Sequence, residues 1–355
     1  MNNEILVMGG GHQGLSMAAH LALCGEKVNL WNRTPEHIQG VFETNCINSS
    51  GIINGTAMIS KVSSNISDVI TDFIMVATPS VSHVDIARLL APYISVDSII
   101  VLNPGRTFGA LEFAKTLRAE GCTHLPHIAE TQTIVYTCRR TGYNDVIIYA
   151  LKKDVGIASL KVNDMKLIMS NIPECIRSRF IPISSVIETS LSNIGMVMHC
   201  APVVMNTGWI ECSKVDFKYY YDGMTLSVCR FVEKIDSERL SVAAAMGLHL
   251  EALSDWLRRT YSVTGNSLYE CIQNNEAYKL IDAPKTIHHR YIEEDVPCGL
   301  VPLESAGQYF NVKTPCVSMV IDWANMLFDT DFRQTGRKYD PCYLNWIENV
   351  YGTET

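Results

Sequence analysis

The sequence predicts an α/β fold in two parts: a domain with a parallel sheet over residues 1–182, followed by an all-helical domain over residues 183–355. In the first part, short runs that are apolar throughout alternate with stretches of helical spacing, which is typical of parallel strands covered by helices on both faces. In the second part, apolar residues recur only at helical spacing. A chain of 355 residues is long enough for two domains of about 150 residues each.

The individual elements follow from this spacing. Predicted strands cover residues 4–8, 28–31, 73–77 and 98–102, with a later strand at 146–151. Predicted helices cover residues 13–24 and 84–90 in the first part and 184–206, 224–247, 249–261, 265–280 and 314–328 in the second.

The composition excludes several classes of protein. The 37 acidic residues outnumber the 29 basic ones, giving a net charge of −8 without any Lys/Arg run, so no nucleic-acid partner is expected. The most apolar later stretch has about 12 residues, whereas a membrane span needs about 20, so no membrane partner is expected either. The first residues lack the basic region and cleavage site of a secretory signal, which predicts a cytoplasmic protein.

The twelve cysteines are scattered along the chain, and no two of them form a C-x-x-C pair. Disulfide frameworks and zinc sites show regular cysteine spacing, which this chain lacks. The pattern predicts small buried side chains in a reducing compartment, with no disulfide and no metal site.

A glycine pattern follows the first predicted strand directly. Gly9, Gly11 and Gly14 satisfy G-x-G-x-x-G, with His12 and Gln13 at the point where the first helix begins. Such a turn lets the backbone approach a pyrophosphate and points a helix N-terminus at it. The strand–turn–helix context predicts a Rossmann-type domain that binds a dinucleotide through these five residues.

The end of the second strand indicates which dinucleotide is bound. NAD sites place Asp or Glu there for the ribose hydroxyls, but this chain has Asn32, Arg33 and Thr34. Asn32 and Thr34 can hydrogen-bond a phosphate, and Arg33 can pair with it and stack on adenine. NADP is therefore the predicted cofactor. The alternative is that Arg33 is a solvated loop residue and that the protein binds NAD.

Two further turns follow predicted strands. Thr78 and Pro79 come after the third strand, and Pro104 comes after the fourth. The carboxyl ends of parallel strands share one edge of the sheet, so these residues are expected beside the cofactor. The alternative is that they only end their strands, and both interpretations can hold together.

One histidine stands out in the predicted helix 184–206. His199 lies in an almost wholly apolar stretch, and Ser192 and Gly195 precede it by seven and four residues, so its face of the helix has room for a ligand. Pro202 cannot donate to the carbonyl of Met198, so a kink or a free carbonyl is expected nearby. The alternative is a core histidine with satisfied hydrogen bonds.

A second cluster of polar residues lies in the segment 289–302. Arg290 and Asp295 can supply a carboxylate clamp and a partner for an imidazole. For Glu293 and Glu294 we expect the first turn of a solvated helix, where the helix dipole favours acids.

Several of these motifs together resemble those of a known family. The glycine loop, N-P-G-R-T at 103–107 with E-F at 112–113, M-V-M-H at 196–199 and above all R-Y-I-E-E-D-V-P at 290–297 are similar to the octopine/nopaline (opine) dehydrogenases. The resemblance covers essentially the whole chain. The family carries a histidine on the first helix of its second domain and an R-Y-x-x-E-D segment about a hundred residues later. Pro297 and Pro302 make the segment after Asp295 less regular than a continuous helix.

The resemblance implies a reaction and roles for three residues. Opine dehydrogenases condense the amino group of an amino acid with a 2-keto acid such as pyruvate and reduce the imine to an N-(1-carboxyalkyl) amino acid. His199 and Asp295 are implied as the acid–base pair, and Arg290 as the residue that holds a substrate carboxylate. The implied partners are these small molecules, and a homodimer is left open.

Two other functions compete with this one. A ketopantoate-reductase-like or 2-hydroxy-acid dehydrogenase shares the two-domain plan but reduces a C=O, and such enzymes rely on a lysine that residues 188–206 lack. A non-catalytic NADP-binding sensor would keep the glycine loop and use His199 only as a core residue.

Overall fold

The computed structural model describes residues 4–212 and 214–342, which form two compact units. The first unit extends to Ser190 and includes Cys342, and the second covers Leu191–Pro341. The division therefore lies a few residues after the predicted boundary at 182/183. Residues 343–355 of the predicted second domain lie outside the described residues.

The first unit alternates strands and helices, as predicted. Its strands are β1 (Glu4–Met8), β2 (Lys27–Trp31), β3 (Cys46–Gly51), β4 (Gly55–Met58), β5 (Lys61–Ser63), β6 (Phe73–Val76), β7 (Ile99–Leu102), β8 (His127–Thr131), β9 (Tyr136–Arg140), β10 (Asp145–Leu151), β11 (Val155–Ser159) and β12 (Phe180–Pro182). Its helices are α1 (His12–Leu23), α2 (Gln39–Thr44), α3 (His83–Leu90), α4 (Gly109–Ala119), α5 (Met165–Asn171), α6 (Glu174–Arg177) and α7 (Val186–Leu191), whose last residue begins the second unit.

The main sheet has eight strands in the order β12-β11-β8-β7-β6-β1-β2-β5. All pairs in it are parallel except β11 with β8. The central strands β1, β6 and β7 are buried almost completely, which explains why their sequences are apolar throughout. The four strands predicted in this sheet are confirmed to within one residue at each end.

A second, four-stranded sheet has the order β4-β3-β10-β9. The predicted strand at 146–151 is present as β10, but it belongs to this separate sheet. Helix α1 packs against strands of both sheets. Its buried side chains, among them Leu15, Ala18 and Leu21, therefore meet apolar residues on two sides. This double contact explains why α1 carries so few polar residues.

The second unit is helical, as predicted. Its helices are α8 (Ile194–Met205), α9 (Thr207–Ile210), α10 (Leu226–Ala245), α11 (Leu253–Tyr261), α12 (Leu268–Gln273), α13 (Arg290–Glu293), α14 (Val301–Tyr309), α15 (Pro315–Phe328) and α16 (Phe332–Thr335). A wide π-type turn over Val296–Leu300 joins α13 to α14. This turn is the irregularity that the prolines after Asp295 predict.

One predicted helix is wrong in a way that matters for the site. The stretch 184–206 is interrupted at Ser192 and Asn193. Asn193 takes a non-helical conformation as the N-cap residue that precedes α8. Serine and asparagine favour helix caps over helix interiors, which accounts for the break. Ser192 therefore does not belong to the helix of His199. Helix α8 itself continues through Pro202 to Met205.

A buried ion pair holds the helices of the second unit together. Arg239 and Asp236 lie on α10, and the guanidinium of Arg239 also donates to the carbonyls of Leu191 and Glu251. The carboxylate of Asp236 accepts from the first backbone N–H of α11. Breaking such a network leaves an uncompensated buried charge, which typically costs about 3–5 kcal/mol.

Among the described residues, no helix combines the length and the apolar character that crossing a bilayer requires.

Candidate active site

A cavity of about 410 Å³ opens at the carboxyl ends of β1, β2 and β6. Three loops meet there because the carboxyl ends of parallel strands share one edge of the sheet. The cavity is lined by Gly9, Gly10, Gly11, His12, Trp31, Asn32, Arg33, Thr34, His37, Ala77, Thr78, Pro79, Val81, Ser82, Ile86 and Arg140. Eight of the eleven predicted cofactor residues are in this lining, and Gln13, Gly14 and Pro104 are not.

Two glycines of the loop are required by its backbone geometry. Gly9 has φ +118°, and a Cβ there would lie 2.9 Å from the carbonyl oxygen of Ala77. A Cβ on Gly14 would lie 1.8 Å from the carbonyl oxygen of Gly9, so only glycine lets α1 pack this closely on the turn. Gly11, in contrast, has open space beside its Cα. The N-terminus of α1 therefore faces open space where an anion fits.

Asn32 shapes the loop from the end of β2. Its Oδ1 accepts from the backbone N–H of Gly10 at 2.8 Å, and its Nδ2 donates to the carbonyl of Thr34 at 2.7 Å. Both ends of the amide are thus engaged within the protein. Asn32 holds the glycine loop and the following loop together, a role that the sequence argument did not foresee.

Arg33 stands at the rim of the cavity. Its side chain is 71% exposed and lies 3.7 Å from the carboxylate of Asp85, a contact too long and too solvated to hold it firmly. The guanidinium can leave Asp85 for a stronger anion at little cost. The phosphate contact of Arg33 stays a prediction, and Thr34 beside it also lines the cavity.

Arg140, which was not predicted as a cofactor residue, reaches the cavity from the second sheet. Its guanidinium donates to the carbonyls of Gly10 and His37, at 3.2 and 2.9 Å, and its backbone N–H donates to Nδ1 of His12 at 2.7 Å. A second cation therefore lies at the glycine loop. The Arg139–Arg140 pair was visible in the sequence, but nothing there placed β9 beside α1.

Of the remaining predicted cofactor residues, two line this cavity and the others do not. Thr78 and Pro79 line it, and the buried hydroxyl of Thr78 has no hydrogen-bond partner among the described residues. Among the described residues, the Nε2 of Gln13 is also buried without a hydrogen-bond partner. Pro104 is buried after a cis peptide bond with Asn103, in a turn beyond β7.

A buried carboxylate organises that turn. Glu130, at the end of β8, accepts from the backbone N–H of Ala110 at 2.7 Å and from the hydroxyls of Thr189 and Ser190. A Cβ on Gly105 would lie only 2.1 Å from Glu130. Gly105 is therefore needed for the close approach of the turn to this carboxylate, a feature with no signal in the sequence.

The second unit brings the two predicted catalytic residues into contact. Nδ1 of His199, on α8, lies 2.7 Å from Oδ2 of Asp295, which follows α13. The two side chains are 14% and 0% exposed. A carboxylate at Nδ1 keeps the proton on that nitrogen and leaves Nε2 as the reactive atom.

Neighbouring residues fix the position of the imidazole. The ring of Tyr291 stacks on it, with centroids 3.9 Å apart and planes inclined by 16°. The hydroxyl of Tyr219 donates to the backbone carbonyl of His199 at 2.6 Å. A Cβ on Gly299 would meet Cβ of Met196 at 2.6 Å, so this glycine lets the π-type turn approach α8 and place Asp295.

Arg290 begins α13, on the same segment as Asp295. Its side chain is 47% exposed, and its Nε lies 3.9 Å from the buried carboxylate of Glu294. The solvated position predicted for Glu294 is therefore wrong, because the helix ends after one turn and the chain folds inward, whereas Glu293 is exposed as predicted. Arg290 keeps an exposed guanidinium that can bind a carboxylate by donating hydrogen bonds to it.

His289 is a further residue of this region that the sequence argument did not single out. Its Nδ1 accepts from the backbone N–H of Tyr291 and so caps α13. Burial, with smaller contributions from Arg290 and His199, lowers the pKa of His289 to about 4. His289 is therefore neutral at physiological pH.

The residues of the first unit fit a dinucleotide. The open space at Gly11, the helix N-terminus, the unpartnered hydroxyl of Thr78 and two arginines at the rim provide a phosphate site with polar groups still to be satisfied. Among the residues that the structure describes, no acidic side chain lines the cavity.

Comparison with known proteins decides the family. The chain is 36% identical to the opine dehydrogenase of Arthrobacter sp. (strain 1C) over 344 residues, which cover 96% of this chain and 95% of that protein. The chain belongs to the opine dehydrogenase family. It is therefore an NAD- or NADP-dependent oxidoreductase, and the interpretation as a nucleotide sensor is wrong. The sequence model of the family, described as NAD/NADP octopine/nopaline dehydrogenase, alpha-helical domain, matches residues 182–328.

Solved structures confirm the two-part fold of this opine dehydrogenase family member. An octopine dehydrogenase with NADH and L-arginine aligns with a TM-score of 0.77 at 15% identity and covers 99% of this chain and 98% of its own. A yersinopine dehydrogenase with NADP⁺ aligns with a TM-score of 0.77 at 13% identity and covers 100% of both chains. The ketopantoate reductase PanE/ApbA model matches residues 5–105, within the α/β part.

Proposed function

We propose that this opine dehydrogenase family member catalyses the NADPH-dependent reductive condensation of an amino acid with a pyruvate-like 2-keto acid. The product is an N-(1-carboxyalkyl) amino acid. The observation that carries the proposal is the 2.7 Å contact of His199 Nδ1 with Asp295, on the segment that also bears Arg290. A cytoplasmic location stays a prediction.

His199 moves the protons of the condensation. Its Nε2 takes a proton from the substrate ammonium group, so that the amine can attack the keto carbon. It then gives this proton to the hydroxyl of the carbinolamine, which leaves as water and produces the protonated imine that accepts the hydride. Asp295 stabilises the imidazolium between these two steps and holds the ring through Nδ1. The stacked ring of Tyr291 limits its rotation.

Arg290 binds the carboxylate of the keto acid. The planar guanidinium offers two parallel N–H donors, which match the two oxygens of a carboxylate and fix its orientation. An exposed guanidinium with only a long contact to Glu294 is available for this task. Orientation of the keto carbon is what Arg290 contributes to the rate.

The first unit would hold the cofactor. The glycine loop and the N-terminus of α1 would bind the pyrophosphate, and Arg33, with Arg140 near it, would favour the extra phosphate of NADPH over NADH. When bound, the cofactor supplies the hydride that reduces the imine carbon.

A second candidate function is the reduction of a C=O by a ketopantoate-reductase-like or 2-hydroxy-acid dehydrogenase activity. The match of residues 5–105 to the ketopantoate reductase model favours it. That match covers the nucleotide-binding part alone, and α8 carries His199 and no lysine. Family membership across the whole chain favours the condensation.

One assay separates the two functions. NADPH oxidation is measured with pyruvate alone and then with pyruvate and each member of an amino-acid panel, with product mass determined in parallel. The proposal expects oxidation only when an amino acid is present, and a product that contains both substrates. Equal oxidation with pyruvate alone, giving a hydroxy acid, would overturn it.

A further inference from the structure

We propose that His20, Cys24 and Cys175 form a binding site for Zn²⁺ in the first unit. One ligand atom from each of the three side chains lies within 4.8 Å of the other two, so small side-chain movements would bring all three to a single ion. This inference does not depend on the proposed reaction.

The site is built where α1 ends. His20 lies in the last turn of α1, and Cys24 follows four residues later as the residue that caps the helix. Residues four apart in a helix lie on the same face, so both side chains point the same way. Cys175 comes from the short helix α6, far away in sequence. This site is not predictable from the sequence, because spacing along the chain cannot reveal a ligand that only the fold supplies.

His20 is prepared to act as a ligand. Its side chain is buried, and its Nδ1 lies 3.2 Å from the hydroxyl of the fully buried Tyr136. This contact orients the ring and leaves Nε2 as the nitrogen available for a metal.

Metal binding deprotonates the two thiols. A bound cation displaces the thiol protons and lets both sulfurs bind as thiolates.

The donor set selects the ion. Two thiolates and one imidazole are soft and borderline ligands, which favour Zn²⁺ over Mg²⁺ or Ca²⁺. Two thiolates also neutralise the charge of a divalent ion. Three protein ligands leave the fourth tetrahedral position for water, and the exposed Cys24 gives the ion a path from solvent.

Zinc titration of the whole chain tests this site. Protein stripped with a chelator and kept reduced is titrated with Zn²⁺ against a chromophoric chelator, and with Co²⁺ to observe the thiolate-to-cobalt absorption. We expect one high-affinity Zn²⁺ per chain. Cys24→Ser and Cys175→Ser should each weaken it at least roughly 100-fold and abolish the cobalt band, and Tyr136→Phe should weaken it roughly 10-fold.

Cys46→Ser is the matched control, because Cys46 is a partly exposed thiol of the same unit outside the cluster. It should bind Zn²⁺ like the unmodified chain. NADPH binding without metal shows that each variant is folded. Equal zinc uptake by Cys24→Ser and the unmodified chain would overturn the proposal. So would a Cys24–Cys175 disulfide that forms in air in a chain that takes up no zinc.

Discussion

The glycine loop of the first unit and the His199–Asp295 pair of the second, the proposed cofactor and acid–base sites, are built in different ways. The loop is contiguous, and its function resides in the backbone, since Gly9 and Gly14 admit no side chain. The pair joins His199 and Asp295 from two segments, and its function resides in side chains that packing must align. Substitutions in the pair should therefore remove the chemistry and spare binding, whereas those at the loop rim should do the reverse.

The strongest test of this division removes the imidazole. His199→Ala should lower kcat roughly 10²- to 10⁴-fold, the usual scale of general acid–base catalysis, while NADPH binding to the first unit persists. Asp295→Asn should also lose activity, and the double variant should lose little more than His199→Ala because the two residues act as a unit. Turnover and NADPH fluorescence titration on one preparation measure both effects.

His249→Ala is the control for this substitution, because His249 is an exposed histidine of the same unit. It should keep normal turnover. A His199→Ala protein with a lower Tm but normal turnover per folded molecule would show a core histidine and end the assignment of the pair.

Arg290 extends the comparison to the proposed binding of the keto acid by the second unit. Arg290→Lys should lower kcat/KM for the keto acid roughly 100-fold, because an ammonium group cannot reproduce two parallel bonds that each contribute about 1.5 kcal/mol or more. NADPH binding should be unchanged. Arg259→Lys, which alters an exposed ion pair with Glu251, is the control and should behave normally. Near-normal keto-acid kinetics for Arg290→Lys would refute the carboxylate contact.

Arg33 tests the role of the first unit in the choice between NADPH and NADH. The intact chain should prefer NADPH to NADH, and Arg33→Ala should reduce this preference roughly 10-fold or more by weakening NADPH binding, since a hydrogen bond to a charged group contributes about 1.5–3 kcal/mol. The ratio of kcat/KM for the two cofactors measures the effect.

Arg88→Ala is the matched control, because Arg88 also lies 3.7 Å from Asp85 but does not line the cavity. It should leave the ratio unchanged. If the intact chain used NADH as efficiently as NADPH, the phosphate assignment would be wrong.

The smallest expected effect is on the pH dependence of stability, through His289 in the second unit. The pKa of His289 is about 4 in the folded chain and about 6.5 when unfolded, so the unfolded chain binds the extra proton between these values. Stability should therefore fall as the pH decreases from 6.5 towards 4. At pH 5 the loss from His289 should be about 1 kcal/mol after allowance for partial exposure.

His289→Asn keeps an acceptor for the cap of α13 but does not titrate. The Tm of this variant should fall less between pH 7 and pH 5 than that of the unmodified chain, by roughly 2–4 °C. His288→Asn, at the exposed neighbouring position, should show the same pH dependence as the unmodified chain. An identical pH dependence for all three proteins would contradict a partly buried His289 that is neutral at pH 7.

The two regions also differ in how far the sequence predicts them. The strands around the glycine loop were predictable because burial on both faces makes them apolar throughout, and His199 and Asp295 were named through a family motif. The break at Asn193 was not predictable, because a single cap residue ends the helix there although the apolar spacing continues on both sides. Arg140 and Glu130 were missed for another reason: each acts at a place that tertiary packing alone defines.

The position of Arg140 on β9 has a consequence for engineering the nucleotide specificity of this enzyme. The usual strategy exchanges the short loop after the second strand for that of an enzyme with the desired preference. Here such a graft would replace Arg33 but leave the guanidinium that the second sheet supplies to Gly10 and His37. A library aimed at NADH use should therefore randomise residue 140 together with residues 32–34, as one unit rather than in successive rounds.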